Sequence, residues 1–300
     1  MSVLYKSMLC SLPLLNRGKV RDNYVIDNDR LLIITTDRIS AFDVIMREPI
    51  PNKGLILNKM TNFWFNKLVH IVPNHLTNDI PEHIVTEDEA WQVKDRSVVA
   101  KRLKPIPIEA IVRGYIAGSG WKEYQETGEI CGVVLPFGLQ NSQKLPKPIF
   151  TAALKADIIG NHDQNITFKE IETRIGITLA LKIRNISMLL YEEAVCYASM
   201  CGIIIADTKF EFGLDIYGKI YLIDEVLTAD SSRFWPIDQY RVGINPPSFD
   251  KQFLRNWLEK QAWNKIPPAP SLPNDVIKAI AAKYQEILKI FSNQKLSEEK

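Results

Sequence analysis

The chain has 300 residues, 46% of them hydrophobic and 24% charged, which excludes a chain disordered as a whole. At about 150 residues per domain it accommodates two domains or one domain with two lobes. Its 37 Lys and Arg against 35 Asp and Glu leave a formal charge of +2, too little for a broad duplex-binding face but enough for small anions in one cleft.

The first 45 residues read as β structure. One run carries Val20, Tyr24 and Ile26, the next is Leu31–Thr36, and Asp27-Asn28-Asp29 between them is turn chemistry, so a hairpin is expected. From Lys53 to Val69, Leu57, Met60, Phe63, Trp64 and Leu68 recur at helical spacing. Strands follow at Arg96–Leu103 and Pro107–Arg113; in the second, Ile108, Ala110 and Val112 share one face, Glu109 and Arg113 the other. Thr167 and Glu170 form a capping box opening a helix that Gly176 interrupts. A long helix over 178–201 carries Ile183, Ile186, Leu190, Ala194 and Tyr197 on one stripe, with Gly202 as its stop. Two short strands, Ile203–Ile205 and Ile220–Ile223, flank a turn around Asp215 and Gly218. Pro267, Pro268, Pro270 and Pro273 suggest a stiff linker to a last helix over 274–291, with a frayed polar tail after Ser292. Strands early and helices late favour α+β over a doubly wound sheet.

Cys10, Cys131, Cys196 and Cys201 make no CxxC pair, and His70, His75, His83 and His162 add no zinc spacing. Free thiols in a reducing compartment and structural or surface histidines are the plain reading. No apolar run approaches the roughly 18 residues of a membrane span. The apolar patch Met8–Leu15 is followed by Asn16-Arg17-Gly18-Lys19 where a signal peptide needs small residues, so a cytoplasmic location is expected.

Five segments can carry chemistry. Gly18-Lys19-Val20-Arg21-Asp22 pairs a glycine that lets backbone approach a phosphate with a point charge, although such pairs also occur in ordinary turns. Arg113-Gly114-Tyr115-Ile116-Ala117-Gly118-Ser119-Gly120-Trp121 ends a strand on an arginine and offers Ser119 as the N-cap of a helix over 121–127: an anion site, or a glycine-rich connector with a structural cap. In Asp207-Thr208-Lys209-Phe210-Glu211, alternation puts three charged groups on one face, and Asp224 ends the next strand. Glu211 and Asp224 could converge on Mg²⁺ bridging nucleotide phosphates; a structural ion-pair cluster is the alternative. The layout is analogous to a kinase catalytic loop followed by a metal-binding Asp. Asp230-Ser231-Ser232-Arg233 adds an Arg in a Ser-rich loop, suited to phosphate or to surface solvation, and Asp37–Asp43 sets two Asp around small residues.

Together these segments resemble the SAICAR synthetase family of purine biosynthesis, in its longer fungal and bacterial branch. The resemblance runs from about Leu15 to Leu258. It is carried by GKVRD at 18–22, DRISAFD at 37–43, IVRGYIAGSGWKEY at 111–124, PIF at 148–150, HDQNI at 162–166, ADTKFEFG at 206–213, DEVLTADSSRFW at 224–235 and DKQFLRNWL at 250–258. Where that branch reads Thr-Pro-Ser-Thr-Lys after PIF, this chain reads Thr151-Ala152-Ala153-Leu154-Lys155, and Thr228-Ala229 replaces a common Thr-Pro.

The resemblance implies a two-lobed α+β fold of kinase-like layout with ATP in the inter-lobe cleft and a C-terminal helix. The implied divisions are a β-rich ATP-phosphate lobe over 1–104, a larger lobe over 105–262, and the linker and helix over 263–300. It implies an ATP-dependent ligase that joins carboxyaminoimidazole ribonucleotide to L-aspartate, giving the succinocarboxamide, ADP and phosphate through an acyl phosphate. By resemblance, Gly18, Lys19 and Arg21 hold ATP phosphates and Lys155 lines the nucleotide side. Glu211 and Asp224 hold Mg²⁺, and Arg113, Ser119 and Arg233 clasp the ribonucleotide's 5′-phosphate. Asp43, Asp207 and Lys209 line the reacting centre, and Lys251 binds substrate. Nucleic acid and membrane partners are not expected; a homo-oligomer stays open. A small-molecule kinase of similar layout and an inactive nucleotide-binding module are the alternatives, the second opposed by Lys19, Glu211 and Asp224.

Overall fold

In the stretch Arg21–Val25, buried Asp22 and Tyr24 alternate with half-buried neighbours, the mark of a strand with one face on a core. The computed structural model describes residues 3–154 and 164–298, with side chains through Ser292. Strands β1 (Leu14–Arg17), β2 (Arg21–Val25) and β3 (Arg30–Thr35) form an antiparallel meander. The expected turn is closed by Asp27, whose Oδ1 accepts from the Asp29 and Arg30 amides at 2.9 and 2.8 Å. A small hairpin of β4 (Ser40–Ala41) and β5 (Val44–Ile45) carries Phe42 and Asp43 at its tip. Helix α1 (Lys53–Leu68) and the short α2 (Ala90–Val93) lead to β6 (Ser97–Lys101), which completes a four-stranded sheet in the order β1-β2-β3-β6.

The second sheet is built from β7 (Lys104–Pro105) and β8 (Ile108–Tyr115); α3 (Gly118–Thr127) and the pair β9 (Glu129–Ile130) and β10 (Val133–Val134) follow. Then come β11 (Lys144–Leu154), β12 (Gln164–Ile166), α4 (Phe168–Ile175) and α5 (Ile177–Met200). The chain ends with β13 (Ile203–Leu214), β14 (Ile220–Ile223), β15 (Ser232–Pro236), α6 (Gln252–Glu259) and α7 (Asn274–Glu298). The sheet order is β12-β11-β8-β13-β14, with β7 and β15 also paired to β13. The architecture is the expected mixed α+β fold.

The capping box closes as expected: the Thr167 amide donates to Glu170 Oε2 at 2.7 Å and the Glu170 amide to Thr167 Oγ1 at 3.3 Å. Gly176, at φ 82°, ends α4 and begins α5. The predicted stripe of α5 packs on β13 and β8, burying Ile183, Leu190, Ala194 and Tyr197. Tyr24, Leu32, Ile34, Val93 and Val99 form a separate small core under the four-stranded sheet, with Leu4 and Leu9 packed into it. Helix α1 joins the large core instead. Its Trp64 meets Tyr197 of α5 edge-on at 5.6 Å and Phe291 of α7 at 5.3 Å between ring centroids.

Three expectations change. The strand expected at Ile203–Ile205 runs on through Leu214, so the extended segment expected for Asp207, Lys209 and Glu211 is part of the same strand. Pairing of β13 with β8 and with β15 and β14 satisfies its backbone on both edges and outweighs the poor strand propensity of its charges. The proline-rich stretch is packed: Ala269 and Leu272 are buried, and the Leu272 amide donates to Glu48 Oε2 at 3.0 Å. The backbone of α7 stays helical through Glu298, beyond the expected fray point.

Because Phe291 is 2% exposed and touches Trp64, Tyr197 and Phe234, its truncation leaves a cavity among three elements. Phe291→Ala is expected to lose about 3–5 kcal/mol in urea denaturation. A loss below about 1 kcal/mol would mean that α7 contributes little to the core.

Candidate active site

The Gly18-Lys19 turn lies between β1 and β2, where the Gly18 amide donates to the Arg21 carbonyl at 2.7 Å. Arg38 holds it from behind. Its guanidinium donates to the carbonyls of Lys19 and Gly18, each at 3.1 Å, to the Tyr5 carbonyl at 2.6 Å and to Asp22 at 2.7 Å. Asp37 next to it is fully buried, accepting from the Leu4 and Gly54 amides at 2.8 and 2.9 Å and from Arg96 at 3.0 Å. The DRISAFD segment is thus mostly a brace. It leaves the exposed Lys19 ammonium beside Asp43, to which it donates.

A cleft of about 420 Å³ opens between this turn, the Phe42–Asp43 hairpin and the middle of β13. It brings together Gly18, Lys19, Arg21, Asp43, Lys209, Glu211, Asp224 and Lys251, which the sequence singled out in five separate segments. Lys209 donates to Glu109 of β8 at 2.6 Å. Arg21 bridges Asp224 at 3.1 Å and Glu225 at 3.0 Å. Burial opposes the charge on Arg21, but these two carboxylates outweigh it and raise its pKa. Glu211 pairs in register with Ile223 of β14, so Asp224 follows one residue later at the same end of the sheet, at φ 62°. Among the described residues no group of three or more His, Cys, Asp or Glu converges as a metal cage. Magnesium usually takes one or two carboxylates and leaves its other positions to water and substrate phosphate. Two hard oxygen donors, Glu211 and Asp224, fit that requirement.

A second cavity of about 380 Å³ adjoins the first across Glu109 and Lys209, and it contains Arg113, Ser119, Asp207 and Arg233. One carboxylate oxygen gathers the two arginines: Asp207 Oδ2 accepts from Arg113 Nη1 at 3.4 Å and from Arg233 Nη1. Arg113 also donates to Thr151 Oγ1 at 3.2 Å. Gly118 at the start of α3 makes room for one of them: a Cβ there would stand 2.1 Å from Arg233 Nη2, whereas one on Gly120 would first meet Ile130 Cδ1 at 3.1 Å. Ser119 is not the N-cap. The extended Ala117 holds that place without a side-chain bond, and the helix opens at Gly118, whose φ of 56° needs no side chain. Ser119 instead lies exposed in the first turn, beside unpaired helix amides and two guanidiniums. Lys155 and His162 lie outside the described residues.

The sequence reading gave no role to Asp230, Lys53 or Tyr284, which lie beneath the cleft. Asp230 binds Lys53 at 2.7 Å and Lys251 at 3.1 Å, and accepts from the Tyr284 hydroxyl at 2.6 Å. Asp230 and Lys53 are almost wholly buried. Burial pushes the Lys53 ammonium down to about 8, though Asp230 opposes it. Burial would raise the Asp230 carboxyl, but Lys251 and Lys53 outweigh it and hold it below the ordinary carboxylate range. Arg255 of α6 lines the same cleft. Motif signals existed for Asp230, Lys251 and Arg255, in DSSRFW and DKQFLRNWL; none existed for Lys53 or Tyr284, which are brought in by helix packing.

An Asp with a depressed folded pKa stabilises fully above its unfolded value of about 3.9, and that contribution is lost as pH falls below it. Asp230→Asn is therefore expected to cost about 3–5 kcal/mol at pH 7, by stranding Lys53. The deficit against wild type is expected to shrink by pH 3.5 in urea titrations. A deficit that does not change with pH would contradict the assigned charge state.

The sequence profile of a family described as SAICAR synthetase matches residues 14–270. A phosphoribosylaminoimidazole-succinocarboxamide synthase of Cupriavidus taiwanensis is 63% identical over 300 residues, covering 98% of this chain and 99% of its own. One of Bordetella petrii is 59% identical, covering 96% and 98%. The solved SAICAR synthase from Saccharomyces cerevisiae complexed with SAICAR superposes with a TM-score of 0.88 at 42% identity, covering 97% of this chain and 98% of that one. No described helix is long and apolar enough to cross a membrane. With its fold, its motifs and nearly its full length accounted for, the chain belongs to the SAICAR synthetase family and is a ligase of purine biosynthesis.

Proposed function

We propose that the protein condenses carboxyaminoimidazole ribonucleotide with L-aspartate at the expense of ATP, through an acyl phosphate. The observation that carries this reading is the junction of the two cavities at Lys209: phosphate-binding equipment lies on both sides of one lysine. A carboxylate is a poor acyl donor because its leaving group is oxide. Transfer of the γ-phosphoryl group to a carboxylate oxygen breaks the bond to ADP and supplies a better leaving group. The aspartate nitrogen then attacks the acyl carbon, the carbon–oxygen bond breaks, phosphate departs with that oxygen, and the nitrogen loses protons as the amide forms. Such chemistry asks the protein for positioning and charge and for no covalent nucleophile.

The roles follow from position. Gly18, Lys19 and Arg21 face the nucleotide phosphates between the two sheets, which supports a nucleotide lobe over 1–104 against a larger lobe over 105–262, closed by the segment over 263–300. Glu211 and Asp224 would hold Mg²⁺, which when bound neutralises charge on the transferring phosphate. Arg113, Ser119 and Arg233 take the 5′-phosphate, with Asp207 holding both arginines in place. Lys209 and Asp43 face the reacting carboxylate, and Lys251, held by Asp230, stands beside them. A small-molecule kinase would use the same phosphate equipment but would have no need of aspartate.

With the ring carboxylate labelled with heavy oxygen, the released phosphate is expected to carry one labelled oxygen, and multiple-turnover ADP release to require both ribonucleotide and aspartate. Unlabelled phosphate, or sustained multiple-turnover ADP release without aspartate, would overturn the reading. Arg233→Ala is expected to weaken ribonucleotide binding about ten- to a hundredfold in direct titration and to leave ATP binding nearly unchanged. A loss confined to ATP would mean that the two pockets are exchanged.

A further inference from the structure

Arg255 is the side chain common to four adjoining cavities: the nucleotide cleft, the arginine clamp, a small recess beneath it, and a larger space of about 670 Å³. It projects from α6, whose first turn is anchored by Asp250 Oδ1 accepting from the Gln252 amide at 2.7 Å. Among the described residues its guanidinium makes no hydrogen bond and no ion pair; only its backbone amide is engaged, donating to the Lys251 carbonyl at 2.9 Å. Burial and the neighbouring Arg233 both lower its pKa, while Asp250 and Asp207 oppose them from beyond contact distance. Every other arginine at the site has a carboxylate: Arg21 has Asp224 and Glu225, and Arg113 and Arg233 share Asp207.

An arginine cannot shed its charge, and its five donors accept nothing in return. A partly buried guanidinium without a partner, lining the same cavities as a second one, is costly unless an anion arrives. The proposed reaction brings several anions. The triphosphate belongs to the Gly18-Lys19 turn, the 5′-phosphate to Arg113 and Arg233, and the ring carboxylate to Lys209. The two carboxylates of the amino acid have no cation yet except Lys251, which Asp230 already engages at 3.1 Å. Arg255 stands where the clamp meets the nucleotide cleft, which is where the attacking nitrogen must arrive, and it also faces the larger space, whose walls carry Lys122 and Lys265. Its planar fork matches a carboxylate through two parallel bonds.

We propose that Arg255 binds a carboxylate of L-aspartate and so selects a dicarboxylic amino acid as the nucleophile. The inference rests on the condensation proposed above. Arg255→Met is expected to raise KM for aspartate at least tenfold, to leave ribonucleotide affinity in direct titration unchanged, and to reduce the preference for aspartate over L-alanine. Without ligands the variant should melt no lower than wild type, because it removes an uncompensated charge; an arginine with only a structural role predicts the opposite. Arg255→Lys is expected to recover part of the aspartate affinity and so covers a Met variant that fails to fold. Unchanged KM for aspartate, or a loss confined to the ribonucleotide, would overturn the proposal. Wild-type protein that shows no aspartate-dependent ADP release would instead overturn the condensation itself.

Discussion

Asp230 is the fixed point of this molecule. Its buried carboxylate receives Lys53 from the start of α1, Lys251 from the entrance to α6 and the Tyr284 hydroxyl from α7. Removing these charges from water is expensive, and only close pairing repays it. That cost makes the arrangement specific. If any of the three elements is displaced, a charge or hydroxyl loses its partner in a low-dielectric interior, so α1, α6 and α7 have one mutual placement that satisfies all of them. The cleft inherits that placement, because Lys251 and Arg255 line it from the same stretch of chain.

The arginine clamp follows the same logic with the opposite emphasis. Asp207 holds Arg113 and Arg233 on one oxygen, so their remaining donors are fixed before any ligand arrives. Donors oriented in advance need not be reorganised during a reaction. The helix start beside them is shaped around one of the guanidiniums, with glycine at 118 because a side chain there would occupy the space of Arg233. Each node leaves some charge available to the cavity, and Arg255 is the extreme case, with no internal partner among the described residues.

Local chemistry was legible in the sequence. The Asp27 turn, the Thr167 capping box, the apolar stripe of α5 and the stops at Gly176 and Gly202 each rest on residues within one or two turns of each other. The motifs also put Lys19, Lys209, Glu211, Asp224, Arg113 and Arg233 on one pair of cavities, because glycines and charges out of place in a core betray a site. That Ile203–Ile205 and the extended charged segment after it form one strand through Leu214 was not legible, because only the neighbouring strands that pair along both edges make it continuous. Nor was the role of Lys53 or Tyr284. Each sits in a helix of ordinary amphipathic pattern, and only the packing of α1 against α7 reveals that both meet a carboxylate.

The two central ion pairs also constrain how the molecule can fold. Lys53 and Asp230 are 177 residues apart, and Arg21 and Asp224 are 203 apart. Loops of that size lose their chain entropy before the contact that closes them repays it, which delays such closures relative to hairpins and helices. Recovery of turnover after dilution from denaturant would then lag behind recovery of the circular dichroism signal, because it times the last long-range closures and not the appearance of secondary structure.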